Sequence, residues 1–200
     1  MKVALPFIGL DLPAVRRIAR ASFRAHPPED RAAFRRFLSE GFLDATHQEE
    51  RYAVLAIAAE RKCRPFQRAP LLPLYRRLIV TAGWWDLVDD LSCRVGEVLS
   101  SDPAPTAEVL LAWARGKDIW LRRAAIICQR KLVAQTNVPL LFSCIEPSLG
   151  EREFFLRKGI GWALRALAQH QPAEVRRYVS AHASTLSPLS QREALRHLGR

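Results

Sequence analysis

Apolar side chains recur along this chain at i, i+3, i+4 and i+7, in segments of about 12–20 residues broken by Pro, Ser, Asp and Gly. That period is helical and predicts helices over 12–25, 29–41, 47–62, 70–82, 84–100, 105–116, 118–134, 137–146, 150–170, 173–184 and 190–199. Local chemistry marks several of the ends. Thr46 with Glu49, and Ser190 with Glu193, have capping-box spacing, while Pro13 and Pro172 suit a first helical turn. Gly116 stops one helix and Asp118 caps the next. No run alternates with period two, and no Asn-Gly or Asp-Gly hairpin turn occurs. The fold class is all-α.

Eleven helices with short connections satisfy two architectures, a bundle or an α-solenoid of antiparallel helix pairs. Pairing neighbours gives a unit of about 35–40 residues, within the range of helical repeats. A solenoid's inner helices line a concave surface, wide enough in such arrays for an extended partner. No low-complexity segment or linker interrupts the chain, so residues 1–200 are expected to form a single domain.

Three helices break their own pattern. In 84–100, Trp84, Leu87, Val88, Leu91 and Val95 form the core stripe, but Trp85 falls about 100° away from it. Its partner at i+4 is Asp89, with Ser92 continuing the line. In 150–170 the stripe is Leu156, Ile160, Ala163, Leu164 and Leu167; Trp162 leaves it for a face carrying Phe155, Lys158, Arg165 and Gln169. A basic, aromatic face of that kind suits phosphate and sugar, although Arg or Lys stems covering a half-buried indole give the same pattern. In 118–134, Leu121, Ala124, Ala125, Cys128 and Leu132 form the stripe, flanked by Arg122, Arg123, Arg130 and Lys131.

Charge narrows the choice of partner. The chain of 200 residues carries +11, with a pI near 10.4 and 26 arginines to five lysines. The excess is spread, +4 over residues 1–100 and +7 over 101–200, so the fold itself presents it to a polyanion. Cys63, Cys93, Cys128 and Cys144 contain no CxxC pair and fit neither a zinc site nor a disulfide framework. They read as reduced, mostly buried thiols of a cytoplasmic protein. The five histidines show no ligand spacing, so no metal is expected. Nor is there a Gly-rich phosphate loop, HExxH or GxSxG motif. Charges interrupt every apolar run, which leaves no membrane span, and the start is too short and Pro-broken for a signal peptide.

The strings TAGWWDLVDD, DIWLRRAAIICQRK, EFFLRKGIGWALR and PLSQREALRH resemble the AlkD-type DNA alkylation repair glycosylases, in the family's order and over nearly the whole chain. The resemblance implies a solenoid of HEAT-like helix pairs with a concave basic face curved around duplex DNA. It implies hydrolysis of the N-glycosidic bond of N3- and N7-alkylated purines, by a monomer without metal or organic cofactor and without flipping the base. In the family's motifs Trp85, Asp89 and Trp162 surround the lesion's deoxyribose as catalytic residues. Arg123 contacts the DNA backbone, with Arg122 beside it a second candidate; Lys158 and Arg165 are expected to bind DNA with them. Family members begin with a further helical pair ahead of a segment similar to LPFIGLDLP, which starts here at Leu5, so that pair is expected to be missing. The alternative is a HEAT-repeat protein that binds damaged or distorted DNA without cleaving it. A third reading, a protein scaffold, draws no support from the charge.

Overall fold

The computed structural model describes residues 5–198. Among them are eleven α-helices and no β-strand: α1 (Leu12–Ala25), α2 (Arg31–Leu43), α3 (Gln48–Ala58), α4 (Leu72–Ala82), α5 (Trp85–Ser101), α6 (Pro103–Arg115), α7 (Ile119–Ile127), α8 (Val138–Ile145), α9 (Phe154–Ala168), α10 (Pro172–Ala181) and α11 (Pro188–Leu195). The all-α expectation is met. Gly199, at the end of the helix expected over 190–199, and Met1 lie outside the described residues. No helix among the described residues is long and apolar enough to cross a membrane.

The chain divides into two compact units at Asp102–Pro103. In unit 1, α3 packs on α1, α2 and α5, and α4 packs on α2 and α5. In unit 2, α7 packs on α6, α8 and α9, while α9 also receives α10 and α11. The expected stripes supply much of both cores: Leu87, Val88, Leu91 and Val95 are fully enclosed in unit 1, as are Leu156, Leu164, Ala124, Ala125 and Cys128 in unit 2. Ile126 and Ile127, off the expected stripe, are enclosed as well, while Leu132 is only partly buried. All four cysteines are free and buried. Burial pushes the Cys63 thiol up to about 11 and the Cys144 thiol to about 12, which keeps both unreactive.

The differences from the sequence pattern have local causes. The helix expected over 118–134 ends at Ile127 and continues as two 3₁₀ turns, with Val133 at φ 57°. The Gln129 amide holds this connection, donating to Asn137 O at 3.2 Å and accepting from Asn137 N at 2.8 Å. No glycine or proline announces the break. The helix expected over 47–62 likewise ends at Ala58, ahead of a 3₁₀ turn over Arg61–Phe66 that contains Pro65. Neither expected capping box forms as placed. His47 is the N-cap of α3 and Glu50 closes the box, its carboxylate accepting from His47 N at 3.0 Å. Glu49 turns inward instead and accepts from the backbone N–H of Ile8, Gly9 and Leu10 at 3.0, 2.8 and 3.2 Å. Burial disfavours its charge, but those three donors outweigh burial and hold its pKa below the ordinary value. Ser187, not Ser190, caps α11. Trp84, expected in the core stripe, is the extended N-cap residue of α5 and is only partly buried.

Close approach fixes the packing of unit 2. A Cβ at Gly161 would stand 2.6 Å from Glu193 Cβ and 3.1 Å from Ser190 O, so α11 rests directly on the α9 backbone there. Gly161→Ala should therefore force the two helices apart and cost about 1–3 kcal/mol. Urea unfolding should show a lower midpoint with the m-value retained; an unchanged midpoint would mean that the contact yields without strain.

Candidate nucleic-acid interface

In unit 1 the candidate residues stand at the start of α5. This helix is buried nearly all round, including the polar Ser92 and Arg94, so its exposed residues are few. Trp85 opens it and is 44% exposed, a large indole left in solvent at the end of a core helix. Asp89 follows one turn later and is buried, 6% exposed. Between them Asp86 is held in place, accepting from Leu87 N at 2.7 Å and from the Tyr52 hydroxyl at 2.5 Å. Burial, helped by Asp86, raises the Tyr52 pKa to about 12, which keeps this hydroxyl a donor. Tyr52 thus ties α3 to the first turn of α5, a support that no motif in the sequence signals.

In unit 2 the structure separates the four basic candidates into two pairs. Arg122 and Arg123 are braces. Arg122 Nη1 meets Glu151 Oε1 at 2.9 Å, and its Nη2 donates to Pro147 O and Ser148 Oγ, both at 2.9 Å. Arg123 is 4% exposed; its Nη1 donates to Phe155 O at 2.5 Å and lies over Gly159, 3.3 Å from where a Cβ would stand. Lys158 and Arg165 share one partner. Lys158 Nζ is 3.0 Å from Glu193 Oε1, and Arg165 Nη1 is 2.6 Å from Glu193 Oε2. Both cations keep part of their surface in solvent.

Trp162 is partly buried beside this pair, with the Arg130 guanidinium 4.3 Å above its ring. Arg130, Arg165, Arg196, Gln169 and His197 join Trp162 around an open groove of about 500 Å³. Arg130 stands in the 3₁₀ connection after α7, and Arg196 follows α11. Sequence reasoning missed both, because each is separated from Trp162 by more than thirty residues and neither lies on its helix. Among the described residues no group of three or more His, Cys, Asp or Glu gathers as a metal site.

The hydrogen bond from Lys158, joined by the charges of Lys158, Arg165 and Arg196, holds the Glu193 carboxyl below its ordinary pKa. A carboxyl lowered in the folded chain stabilises the fold above its unfolded pKa, and that contribution is lost as pH falls through the folded value. Glu193→Gln should lower Tm at about pH 7, and the deficit should shrink as pH falls through the lowered pKa of the folded carboxyl, below which both proteins lack the charge. A deficit independent of pH would assign the effect of Glu193 to packing on Gly161.

No curated protein matches the chain. Its fold is similar to that of a solved structure, a predicted DNA alkylation repair enzyme from Enterococcus faecalis, with a TM-score of 0.74 and 24% identity over 98% of this chain and 90% of that one. The family model described as DNA alkylation repair enzyme matches residues 1–198. An all-helical chain with WWDLVDD opening α5 and KGIGWALR along α9 thus belongs to the DNA alkylation repair enzyme family, whose role is the repair of alkylation damage.

Proposed function

We propose that this protein is a glycosylase that hydrolyses the N-glycosidic bond of N3- and N7-alkylated purines in duplex DNA. It acts in the cytoplasm as a monomer, without metal or organic cofactor, and leaves the damaged base stacked. Both units serve as one DNA alkylation repair domain. The observation that carries this reading is the start of α5, where an exposed indole and a buried carboxylate stand one turn apart on a largely enclosed helix.

The chemistry asks little of the protein. Alkylation at N3 of adenine or N7 of guanine makes the base cationic, so it departs as a neutral molecule and no general acid is required. The electron pair of the breaking C1′–N bond stays with the base, and C1′ becomes oxocarbenium-like. Water adds there and releases its second proton to solvent. Asp89 supplies negative charge where the sugar cation grows. Trp85 offers a π-face to that cation, and in unit 2 Trp162 stands among the residues that meet the DNA. Lys158 and Arg165, whose charges reach solvent, contact backbone phosphates. Arg122 and Arg123 act by holding the connection before α9, and α9 itself, in place.

Asp89→Asn tests the catalytic role. A charge that matters only in the transition state can be lost without weakening duplex binding. Such a group is worth about 10²–10³ in rate; with a lesion as labile as 7-methylguanine, single-turnover base release should fall on the order of tenfold while Kd holds. Equal release by wild type and variant, or a wild type no faster than buffer, would leave the DNA-binding alternative standing.

The basic residues separate by salt dependence. Arg165→Ala should reduce the slope of log K against log salt by about one phosphate contact. Arg123→Ala should leave that slope unchanged and instead cost about 1–3 kcal/mol of folding stability, since a buried side chain and its hydrogen bond to Phe155 O are both lost. A flattened slope for Arg123→Ala would return it to the DNA contacts.

A further inference from the structure

We infer that the groove beside Trp162 is a phosphodiester site, in which Trp162 serves as a platform for Arg130 and the guanidinium, not the indole face, meets the DNA strand. The inference rests on the proposed function only for the identity of the natural ligand. Of the described residues lining the groove, Arg130, Arg165 and Arg196 are cationic, Gln169 and His197 are polar, and none is acidic. The π-face that would attract a cationic base or sugar already holds a guanidinium at 4.3 Å. A second cation on that face would meet the first one's charge, so the groove selects against positive ligands. A tetrahedral oxyanion meets the opposite situation.

Guanidinium groups offer paired N–H donors in a plane that matches two phosphate oxygens. Stacking on the indole fixes the plane of Arg130 before any ligand arrives, so less side-chain freedom is lost on binding. The connection that carries Arg130 is itself braced, by the Gln129 clamp on Asn137. Arg165 is steadied from the other side by Glu193, which Lys158 also engages. Arg196, exposed, closes the rim, and Ala166 with the indole edge leaves an apolar strip for a deoxyribose ring. Arg130 is accordingly a positioning and binding residue whose geometry depends on Trp162.

The test reads Trp162 directly. The chain has five tryptophans, and their indole N–H resonances can be followed by NMR, with Trp162→Phe identifying the relevant one. Inorganic phosphate is titrated into the free protein against sodium chloride at matched ionic strength, and then an undamaged duplex is added. The expected result is a saturable movement of the Trp162 resonance with phosphate and duplex but not with chloride. Arg130→Leu should abolish it and Arg196→Ala should weaken it several-fold. Arg130→Lys should not restore it, because an ammonium cannot stack as a plane. Each of Arg130→Leu and Arg196→Ala should also lower the salt slope of duplex binding by about one. A Trp162 resonance that moves equally with chloride, or that responds to phosphate unchanged in Arg196→Ala, would overturn the inference. Arg196 is on the surface, so that variant decides the matter even if Arg130→Leu does not fold. Base release is not read here. A silent Trp162 in a protein that releases 7-methylguanine removes the phosphate site alone, whereas a responsive Trp162 in a protein that releases none removes the glycosylase reading alone.

Discussion

Gly159 and Gly161 lie two positions apart on α9, and at 100° per residue their missing side chains face nearly opposite directions. One opening admits Arg123 from α7 and the other admits Glu193 and Ser190 from α11. α9 is therefore gripped on both sides at backbone distance, and the rest of unit 2 follows from that grip. Arg123 crosses to Phe155 O, Ser190 Oγ donates to Arg157 O, and Glu193 reaches Lys158 and Arg165. With those contacts set, Trp162 is turned to the groove where Arg130 and Arg196 meet it.

The charge of the protein is built by a division of labour between acids and bases. Asp11, Asp30, Asp118 and Glu153 are N-caps, each accepting a backbone N–H of its helix. Glu49 holds the backbone ahead of α1, Glu50 that ahead of α3, and Asp102 accepts from Arg68 and Ala69 N at the end of α5. Anionic side chains thus work where helix N-termini and unsatisfied N–H groups favour them. Arginines outnumber these tasks. Those left at the surface give the +11 chain its attraction to a polyanion.

Within unit 1 the same economy appears in α5. A helix enclosed on nearly all sides must satisfy its polar residues internally: Ser92 Oγ donates to Val88 O and Arg94 pairs with Glu97. At its start Trp85 stays in solvent, and Asp89 is buried one turn further on. The sequence pattern located these two because a stripe repeating every 3–4 residues makes any large residue off the stripe conspicuous.

The amino-acid order by itself determined the helical class, the core stripes, Asp118 as a cap, and the off-stripe set of Trp85, Asp89 and Trp162. All of these depend on spacing within one helix, which 3.6-residue periodicity converts to a face without knowledge of neighbours. Which of several adjacent polar residues takes a cap was not legible: Thr46 and Glu49 gave way to His47 and Glu50 because Glu49 was drawn inward by the backbone at 8–10, about forty residues away. Arg122 and Arg123 look like surface bases beside an apolar stripe, yet in the tertiary structure both reach across to other segments: Arg122 to Pro147, Ser148 and Glu151, and Arg123 over Gly159, where the missing side chain leaves space for its stem. The stacking of Arg130 on Trp162 likewise belongs to the tertiary structure alone, because it joins a 3₁₀ connection to a helix that begins more than twenty residues later, and no periodicity links residues across such a gap.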